Sequence, residues 1–355
     1  MEQVPDNESA VRQHQDTVHG SPSGMLADAR EQVLPALRAT VDTIPASIRP
    51  ICEYHLGWRD ATGGIDNAGV GKGIRAALVL GCARAAGGRA SDAVPAAVAV
   101  ELIHNASLLH DDVIDGDAVR RHRATVWSAF GMPAAILAGD ALFFLAIRVL
   151  AASPAAWASD ATLHLVRATE RLIDGEYTDT VFEAAPSVPL AQCLTMSQAK
   201  TAALMECACL LGGLAGGADP DRTLLWSQFG AHLGVAFQLV DDLLGIWGDP
   251  AATGKPAGSD LRRRKKSLPV VAALVSETAA GRELARVYAA NSRFDEADLA
   301  RAAALIEDTG AREWARQEAD HQLRRAAACL RATDPAPLAA ADLTGLLELL
   351  ANRTR

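Results

Sequence analysis

Apolar stretches of helical length, separated by short loops rich in Gly and Pro, most constrain what this chain can fold into. From Met25 onward they alternate with loops such as residues 61–73, 183–190, 248–260 and 331–337. No strict alternation of apolar and polar residues appears, so no strand is predicted. Half of the 355 residues are hydrophobic but only 5% are aromatic. Ala, Leu and Val therefore supply the apolar surface, and such sequences favour an all-α fold.

The chain shows no fixed-period repeat and no change in composition that marks a second domain. We predict one large helical bundle with a central apolar cavity over residues 25–355, after a disordered polar arm over residues 1–24. The first residues are acidic and lack an apolar run, so no signal peptide is predicted. The longest uncharged stretch, residues 223–240, contains the polar side chains of Ser227, Gln228, His232 and Gln238, which favours a buried helix and predicts no membrane span.

Charge and cysteine spacing exclude several partners. Lys and Arg number 34 against 43 Asp and Glu, a net charge of −9, which argues against nucleic-acid binding through phosphate neutralisation. The cysteines lack the spacing of a zinc site, so we expect reduced, mostly buried thiols in a cytoplasmic protein. They are Cys52, Cys82, Cys193, Cys207, Cys209 and Cys329.

The most informative segment runs from His104 to Trp127 and reads HNASLLHDDVIDGDAVRRHRATVW. On a helix, Asp111 and Asp115 lie one turn apart on one face, with Asp112 beside them. Hard carboxylate oxygens that leave room for water and phosphate suit Mg²⁺ bound to a diphosphate. An isolated acidic run is more often a solvated helix end. Here apolar residues precede the acids and three arginines follow, so we expect a buried helix whose acids face an interior cavity.

A second acidic pair follows another apolar stretch in FQLVDDLLGIWGDP, where Asp241 and Asp242 stand one turn after Gln238. The two acidic helices are predicted to face each other across one cavity. Candidate cations for an anionic ligand are Lys72, Arg75, Lys200, Lys255 and Lys265. The GVGKG segment around Lys72 is not a P-loop, because Asp66 replaces the first Gly and no Ser or Thr follows the Lys.

Two acidic helices with several cations around an apolar interior fit a diphosphate ester with a hydrocarbon tail. The chemistry would be ionisation, in which Mg²⁺ and cationic side chains neutralise a departing diphosphate and an allylic C–O bond breaks to a carbocation. No arrangement of nucleophile and base is required.

Over residues 30 to 330 the sequence resembles the trans-isoprenyl diphosphate synthases, and among them the bacterial geranylgeranyl diphosphate synthases. The resemblance is carried, in the family's order, by GKGIR, ELIHNASLLHDDVID, the Arg120–Arg121 pair, ILAGDALF, GEYTD, KTAAL, FQLVDDLLG and GKPAGSDLRRRKKSLP. It implies the all-α isoprenoid synthase fold and Mg²⁺-dependent condensation of isopentenyl diphosphate with an allylic diphosphate. It also implies three Mg²⁺ ions and a homodimer.

The resemblance implies a role for each matching residue. Isopentenyl diphosphate would be held by Lys72, Arg75, His104 and Arg121. The metal would be held by Asp111, Asp115 and Asp241, with Asp112 and Asp242 alongside. The allylic substrate would be contacted by Arg120, Lys200, Thr201, Gln238, Lys255 and Lys265.

Four departures from the family pattern are present. Gly245 stands where the second acidic motif usually has a third Asp, and His122 stands where a Gly commonly follows the Arg pair. Arg264 replaces the Gly of DLxxGK, and Glu176 replaces the Gln of GQxxD. These changes put the geometry of a third metal ion in question.

Chain length of the product is predicted from the residues just before Asp111. Farnesyl producers of this family commonly carry an aromatic at one of two places, here the small Ala106 and Ser107. The cavity should therefore admit geranylgeranyl or longer products, with Phe143 or Phe144 as its floor.

Two alternatives stay open: a class I terpene cyclase, and a non-catalytic subunit that binds a prenyl synthase. The arm over residues 1–24 could dock the protein to a partner.

Overall fold

The computed structural model describes residues 22–66, 71, 73–249, 258–289 and 294–352. It is 77% helical, which confirms the predicted all-α fold. A short hairpin is the exception, since β1 (Val119–Arg120) pairs antiparallel with β2 (Arg123–Ala124). The expectation that no strand forms is wrong at this hairpin, because a two-residue strand is too short to show an alternating pattern.

The first helices are α1 (Pro22–Val41), α2 (Arg49–His55), α3 (Ile74–Ala85), α4 (Ala90–Ile114), α5 (Val126–Phe130), α6 (Met132–Ala151) and α7 (Ala158–Ala184). They are followed by α8 (Leu190–Ser197), a π-helical turn (Gln198–Ala202), α9 (Ala203–Ala215) and α10 (Pro220–Trp247). The remaining helices are α11 (Ser259–Arg262), α12 (Leu268–Leu274), α13 (Ala279–Ala289), α14 (Glu296–Asp308), α15 (Ala311–Ala332) and α16 (Pro337–Asn352).

The described residues group into two compact units. The first unit contains residues up to 169 together with 207–227 and 330–346, and the second contains 170–206, 228–329 and the residues from 347 on. Because each unit combines separated stretches of the chain, neither is a continuous domain in the sequence.

In the first unit, α4 is the central helix. It packs most extensively on α6 and α3, and its Ala and Val side chains from Ala96 to Val100 are all buried. A helix that is apolar on every side is stable only when neighbours cover it. This packing fixes the C-terminal end of α4, which carries Asp111 and Asp112.

In the second unit, the part of α10 from residue 228 onward lies in an apolar cluster. Val235, Leu239 and Leu243 of α10 belong to this cluster, as do Met196 of α8 and Leu268 of α12. Val235, Leu239 and Leu243 recur at steps of four residues, so they form one apolar stripe along α10. Asp241 and Asp242 lie within this buried part of α10.

Three helices are long and apolar enough to cross a membrane by length and composition: α4, α6 and α10. The most apolar stretches of α4 and α10 are 72% and 61% buried within the structure, whereas that of α6 is 39% buried. All six cysteines lie in the described residues and carry free thiols, and all but Cys329 are buried, as predicted.

Candidate active site

The first acidic segment ends α4 with carboxylates in three different environments. Asp111 is half-buried and Asp115, which caps the helix, is exposed, while Asp112 is only 2% exposed. Asp112 accepts a hydrogen bond from Nε of Arg120 at 2.7 Å. Burial raises the pKa of the Asp112 carboxyl, although the Arg120 guanidinium acts in the opposite direction. Asp112 therefore anchors Arg120, and Asp111 and Asp115 are better placed for a ligand.

The β1–β2 hairpin carries the arginine pair. Its two turn residues, Arg121 and His122, have left-handed backbone conformations with φ of 52° and 62°, as a two-residue type I′ turn requires. The family's Gly at position 122 is thus replaced by His without a change of backbone geometry. Arg123 anchors the hairpin by donating hydrogen bonds to the carbonyl oxygens of Tyr54 and Arg59 at 3.1 and 2.8 Å.

Three arginines of this hairpin raise the positive potential around a small cavity. The cavity has a volume of about 40 Å³ and is lined by Arg120, Arg121, Arg123, His55 and Asp112, among others. Burial lowers the pKa of His55 to about 3, and the charges of Arg121 and Arg120 add to the effect. The His55 ring is therefore neutral, so the positive charge here belongs to the arginines and favours an anion.

Arg75 and His104, both expected to hold isopentenyl diphosphate, lie in contact. Nη1 of Arg75 lies 3.2 Å from Nε2 of His104. A guanidinium has no acceptor atom, so it donates to Nε2, and the imidazole proton is on Nδ1. Burial lowers the pKa of His104 well below its usual value, and the nearby arginines lower it further. His104 is neutral and contributes a hydrogen-bond donor rather than a charge. Lys72 lies outside the described residues.

A residue that the sequence analysis missed, Glu101, lies in the same cluster. It is 6% exposed, and its carboxylate accepts a hydrogen bond from the backbone N–H of Ala76 at 3.1 Å. A signal was available, since Glu101 is the one charged residue in the run AVAVELI. A charge in a buried apolar helix requires a partner.

In the second unit, a chain of hydrogen bonds fixes the second acidic pair. Oγ1 of Thr201 donates to Oε1 of Gln238 at 2.6 Å, and Nε2 of Gln238 donates to Oδ1 of Asp242 at 2.6 Å. The backbone N–H of Leu268 donates to the other oxygen of Asp242 at 2.9 Å. Burial raises the pKa of Asp242 to about 7. Asp242 is thus held inside the unit, whereas Asp241 is exposed and reaches solvent.

Lys200 extends from the π-helical turn and pairs with two carboxylates. Its Nζ lies 2.8 Å from Oε2 of Glu176 and 2.7 Å from Oδ2 of Asp179. Glu176 replaces the family's Gln, so this chain holds the lysine with an additional negative charge. π-Helical turns are frequent at functional sites, because the extra residue redirects the side chains that follow.

Lys265 is half-buried and surrounded by acids. Burial disfavours its charged form, but the carboxylates of Asp242, Asp260 and Asp179 outweigh that effect and raise its pKa. Lys265 therefore remains a cation. Lys255 lies outside the described residues.

The Gly of DLxxGK is replaced by Arg264, which retains a left-handed backbone conformation with φ of 55°. Its guanidinium lies 4.5 Å from the ring centroid of Phe294 and donates to the carbonyl oxygens of Tyr288 and Val287 at 3.3 Å. These contacts compensate for the conformation that glycine adopts without strain. The Arg264 side chain therefore stabilises the loop that contains Lys265.

The residues predicted to set product length lie in different surroundings. Ala106 is fully buried, and Ser107 is 8% exposed with its hydroxyl donating to the carbonyl oxygen of His104 at 2.9 Å. Phe143 is half-buried and packs edge-on against His110, with ring centroids 5.5 Å apart. Phe144 is 74% exposed. Of the two candidates for the cavity floor, Phe144 is excluded because it faces outward, whereas adjacent helical residues point about 100° apart and Phe143 faces His110.

The carboxylates fit a metal that is shared with a ligand. Within the described ranges, no three His, Cys, Asp or Glu side chains are close enough to form a metal site by themselves. Mg²⁺ keeps several waters and commonly binds through one or two carboxylates together with substrate phosphates. The half-buried and exposed carboxylates of Asp111, Asp115 and Asp241 have the chemistry for that mode of binding.

Comparison with known proteins connects this geometry to a family. A model of the Polyprenyl synthetase family matches residues 66–306. The geranylgeranyl diphosphate synthase of Mycobacterium tuberculosis (strain ATCC 25618 / H37Rv) is 43% identical over 330 residues, covering 93% of both chains. The (2E,6E)-farnesyl diphosphate synthase of Mycobacterium bovis (strain ATCC BAA-935 / AF2122/97) is 46% identical over 298 residues, covering 83% of both.

Two solved structures share the fold. A polyprenyl synthetase from Streptomyces coelicolor A3(2) superposes with a TM-score of 0.89 at 45% identity, covering 92% of this chain and 98% of the other. A geranylgeranyl pyrophosphate synthase from Corynebacterium glutamicum, complexed with isoprenyl diphosphate and magnesium, superposes with a TM-score of 0.80 at 28% identity. That match covers 93% of this chain and 98% of the other.

Proposed function

This chain belongs to the polyprenyl synthetase family and is a trans-prenyltransferase, and we propose that it condenses isopentenyl diphosphate with an allylic diphosphate to give geranylgeranyl diphosphate or a longer trans-polyprenyl diphosphate. The observation that carries the proposal is the group of Arg75, His104 and Arg121 in the first unit. These side chains lie outside both acidic motifs, and a second diphosphate gives them a function.

Each unit contributes groups to the proposed reaction. In the first unit, Arg75, neutral His104 and Arg121 would hold isopentenyl diphosphate, with Lys72 assigned to the same substrate. Bound Mg²⁺, for which Asp111, Asp115 and Asp241 are the proposed ligands, would supply positive charge to the leaving diphosphate. We propose three bound Mg²⁺ ions, the number that the family resemblance implies.

The residues then stabilise the charge that develops as the allylic C–O bond breaks. Arg120 in the first unit and Lys200 and Lys265 in the second neutralise the departing diphosphate, with Lys255, Thr201 and Gln238 assigned to the same substrate. The carbocation is attacked by the double bond of isopentenyl diphosphate, which forms the new C–C bond. A proton then leaves the neighbouring carbon, with the departed diphosphate as its acceptor, and an allylic product is restored.

Product length is proposed from α4. The two mycobacterial relatives are named for products of twenty and fifteen carbons and are of similar identity to this chain. The small, buried side chains of Ala106 and Ser107 favour the longer product, since neither blocks an apolar tail that runs past Asp111.

The direct test is incubation with isopentenyl diphosphate, geranyl or farnesyl diphosphate and Mg²⁺, followed by chromatography of the products. We expect linear geranylgeranyl or longer diphosphates, and no product when a chelator replaces the metal. A cyclic hydrocarbon from the allylic substrate alone would instead support a terpene cyclase. Loss of both activities, restored only when a second synthase is added, would support a non-catalytic subunit.

A homodimer is proposed on the exposed apolar face of α6. Met132, Ile136, Leu137 and Phe144 of this helix are between 44% and 74% exposed, more apolar surface than a helix usually leaves in water. A second copy of the chain would cover it. Sedimentation analysis should show a dimer that Phe144→Glu weakens, and a monomeric wild type would overturn the proposal.

We also propose a cytoplasmic location, supported by the free and mostly buried cysteines. The arm over residues 1–24, of which 1–21 lie outside the described residues, is proposed to dock the enzyme to a partner. Deletion of residues 1–21 should leave prenyl transfer unchanged, since the arm holds none of the assigned site residues. A loss of turnover would give the arm a catalytic role instead.

A further inference from the structure

Glu101 is a buried carboxylate within a site assigned to an anion, and the proposed mechanism gives it no role. It lies on α4, one turn before His104 and Asn105, and is 6% exposed. A negative charge weakens the binding of diphosphate, and its burial is costly. Its presence therefore requires a compensating function.

One function is to cap α3. The Glu101 carboxylate accepts the N–H of Ala76 at 3.1 Å, and Ala76 is the third residue of the helix. The N-cap position is Gly73, which has φ of 64° and no side chain to satisfy this group. Glu101 thus supplies from α4 both the acceptor and the negative charge that a helix N-terminus favours.

The same carboxylate faces the cations of the site. Arg75 follows the start of α3 by one residue, and its Nη1 lies 3.2 Å from His104. In the described structure, Nε of Arg75 is buried without a hydrogen-bond partner. Burial lowers the pKa values of Arg75 and Arg121, and the charge of Glu101 raises both. Without Glu101, both partly desolvated guanidinium groups would lose a negative charge that favours their ionised form.

We propose that Glu101 is a positioning residue, which holds the N-terminus of α3, Arg75 and Arg121 in the arrangement that binds isopentenyl diphosphate before that substrate arrives. The inference rests on the proposed function. Glu101 would in this way preorganise the site. Because the cations are already in place, less binding free energy is spent on ordering them when isopentenyl diphosphate binds.

Two substitutions separate this role from capping alone. In Glu101→Gln the amide oxygen still accepts the N–H of Ala76, but the charge is gone, whereas Glu101→Ala removes both. Glu101→Asp retains the charge on a shorter side chain. Asp342→Asn, in the same unit and 7% exposed, controls for the loss of a buried carboxylate outside the site.

We expect Glu101→Gln to raise the KM for isopentenyl diphosphate roughly tenfold, the equivalent of about 1.4 kcal/mol, while the KM for the allylic substrate changes less than about twofold. Its melting temperature should stay near that of the wild type. Glu101→Ala should show the same KM split with a lower melting temperature, and Asp342→Asn should show no split. A wild-type KM in Glu101→Gln, with only a stability loss in Glu101→Ala, would reduce Glu101 to a helix cap and overturn the proposal.

Calorimetry keeps the inference separate from the proposed function. Isopentenyl diphosphate is titrated into the full-length wild type and the folded Glu101 variants without an allylic substrate. We expect binding to the wild type and roughly tenfold weaker binding to Glu101→Gln; equal binding to both proteins would overturn the role of Glu101. Should Glu101→Gln not fold, Glu101→Asp takes its place. Its shorter side chain withdraws the carboxylate from the N–H of Ala76, so we expect weaker binding of isopentenyl diphosphate. Binding as tight as that of the wild type would contradict the positioning role. Binding without prenyl transfer by the wild type would instead count against the proposed function alone.

Discussion

The carboxylate of Asp260 lies in the space that a side chain at position 245 would occupy. A β-carbon built on Gly245 would lie 2.4 Å from Oδ2 and 2.6 Å from Cγ of Asp260, far closer than van der Waals contact allows. The sequence analysis identified Gly245 as the position of a missing third Asp. The structure shows that the short helix α11 brings a carboxylate to this place instead.

Restoring the family's residue at position 245 should therefore destabilise the protein. Gly245→Asp would add a side chain against Asp260 and a like charge beside it, at a cost of roughly 1–3 kcal/mol. Urea denaturation of the variant measures the loss. The double variant Gly245→Asp/Asp260→Ala removes the collision and should recover most of the stability, and a single variant as stable as the wild type would contradict the steric interpretation.

Loss of either carboxylate that we propose as a metal ligand should reduce turnover and leave the fold intact. We expect Asp111→Ala and Asp241→Ala each to lower kcat roughly a hundredfold or more, because charge stabilisation of the leaving diphosphate is lost. Circular dichroism checks the fold, and Asp308→Ala, at an exposed position, is the control. Wild-type turnover by either variant in saturating Mg²⁺ would remove that residue from the metal site.

Arg75 should serve one substrate more than the other. Arg75→Ala removes the guanidinium beside His104, so the KM for isopentenyl diphosphate should rise more than that for the allylic substrate. Steady-state kinetics with each substrate varied in turn measures the difference. Equal increases for both would argue against a site dedicated to isopentenyl diphosphate.

A bulky side chain on α4 should shorten the product. Ala106 is fully buried, and Ala106→Phe would fill the space that we propose the growing chain enters, so farnesyl diphosphate should become the main product. Product chromatography reads the result, with Ala156→Phe at an exposed position as control. If the wild type already stops at fifteen carbons, or Ala106→Phe leaves the product unchanged, another side chain sets the length.

The hairpin turn should accept its family residue with a gain in stability. Since His122 adopts a φ of 62°, His122→Gly should stabilise the protein by about 1 kcal/mol through relief of left-handed strain. Arg264→Gly relieves the same strain but loses the contacts with Phe294, Tyr288 and Val287, so no such gain is expected there. Melting temperatures of the two variants test the contrast, and a destabilised His122→Gly would show that the imidazole makes a compensating interaction.

Much of the fold and of the chemistry could be predicted from the sequence, because helix packing and metal-type carboxylates both leave local patterns. The apolar runs before Asp111 and Asp241 identified α4 and α10, and the family resemblance assigned Arg75 and His104 to one substrate, in agreement with the 3.2 Å contact between them. What was missed depends on contacts between distant residues. The acceptance of the Ala76 N–H by Glu101 joins positions 25 apart, and the hairpin turn carries Arg and His where Gly or Asn would have signalled it.

Phe143 and Phe144 show that the sequence also fails to predict the direction of side chains within one helix. Both are aromatic and adjacent, so composition treats them alike, but only the packing of α6 on α4 decides which one turns inward. The exposure of Phe144 was therefore not accessible from the sequence.

The π-helical turn at Gln198–Ala202 limits which insertions and deletions this segment tolerates. It holds one residue more per turn than an α-helix. Deleting a residue would regularise the hydrogen bonds but change the directions of the side chains within the turn, so Thr201 would lose its alignment with Gln238 and, through it, with Asp242. The π-helical turn therefore fixes the number of residues in this segment. Relatives that preserve the Thr201–Gln238–Asp242 alignment should differ here by substitutions and not by insertions or deletions.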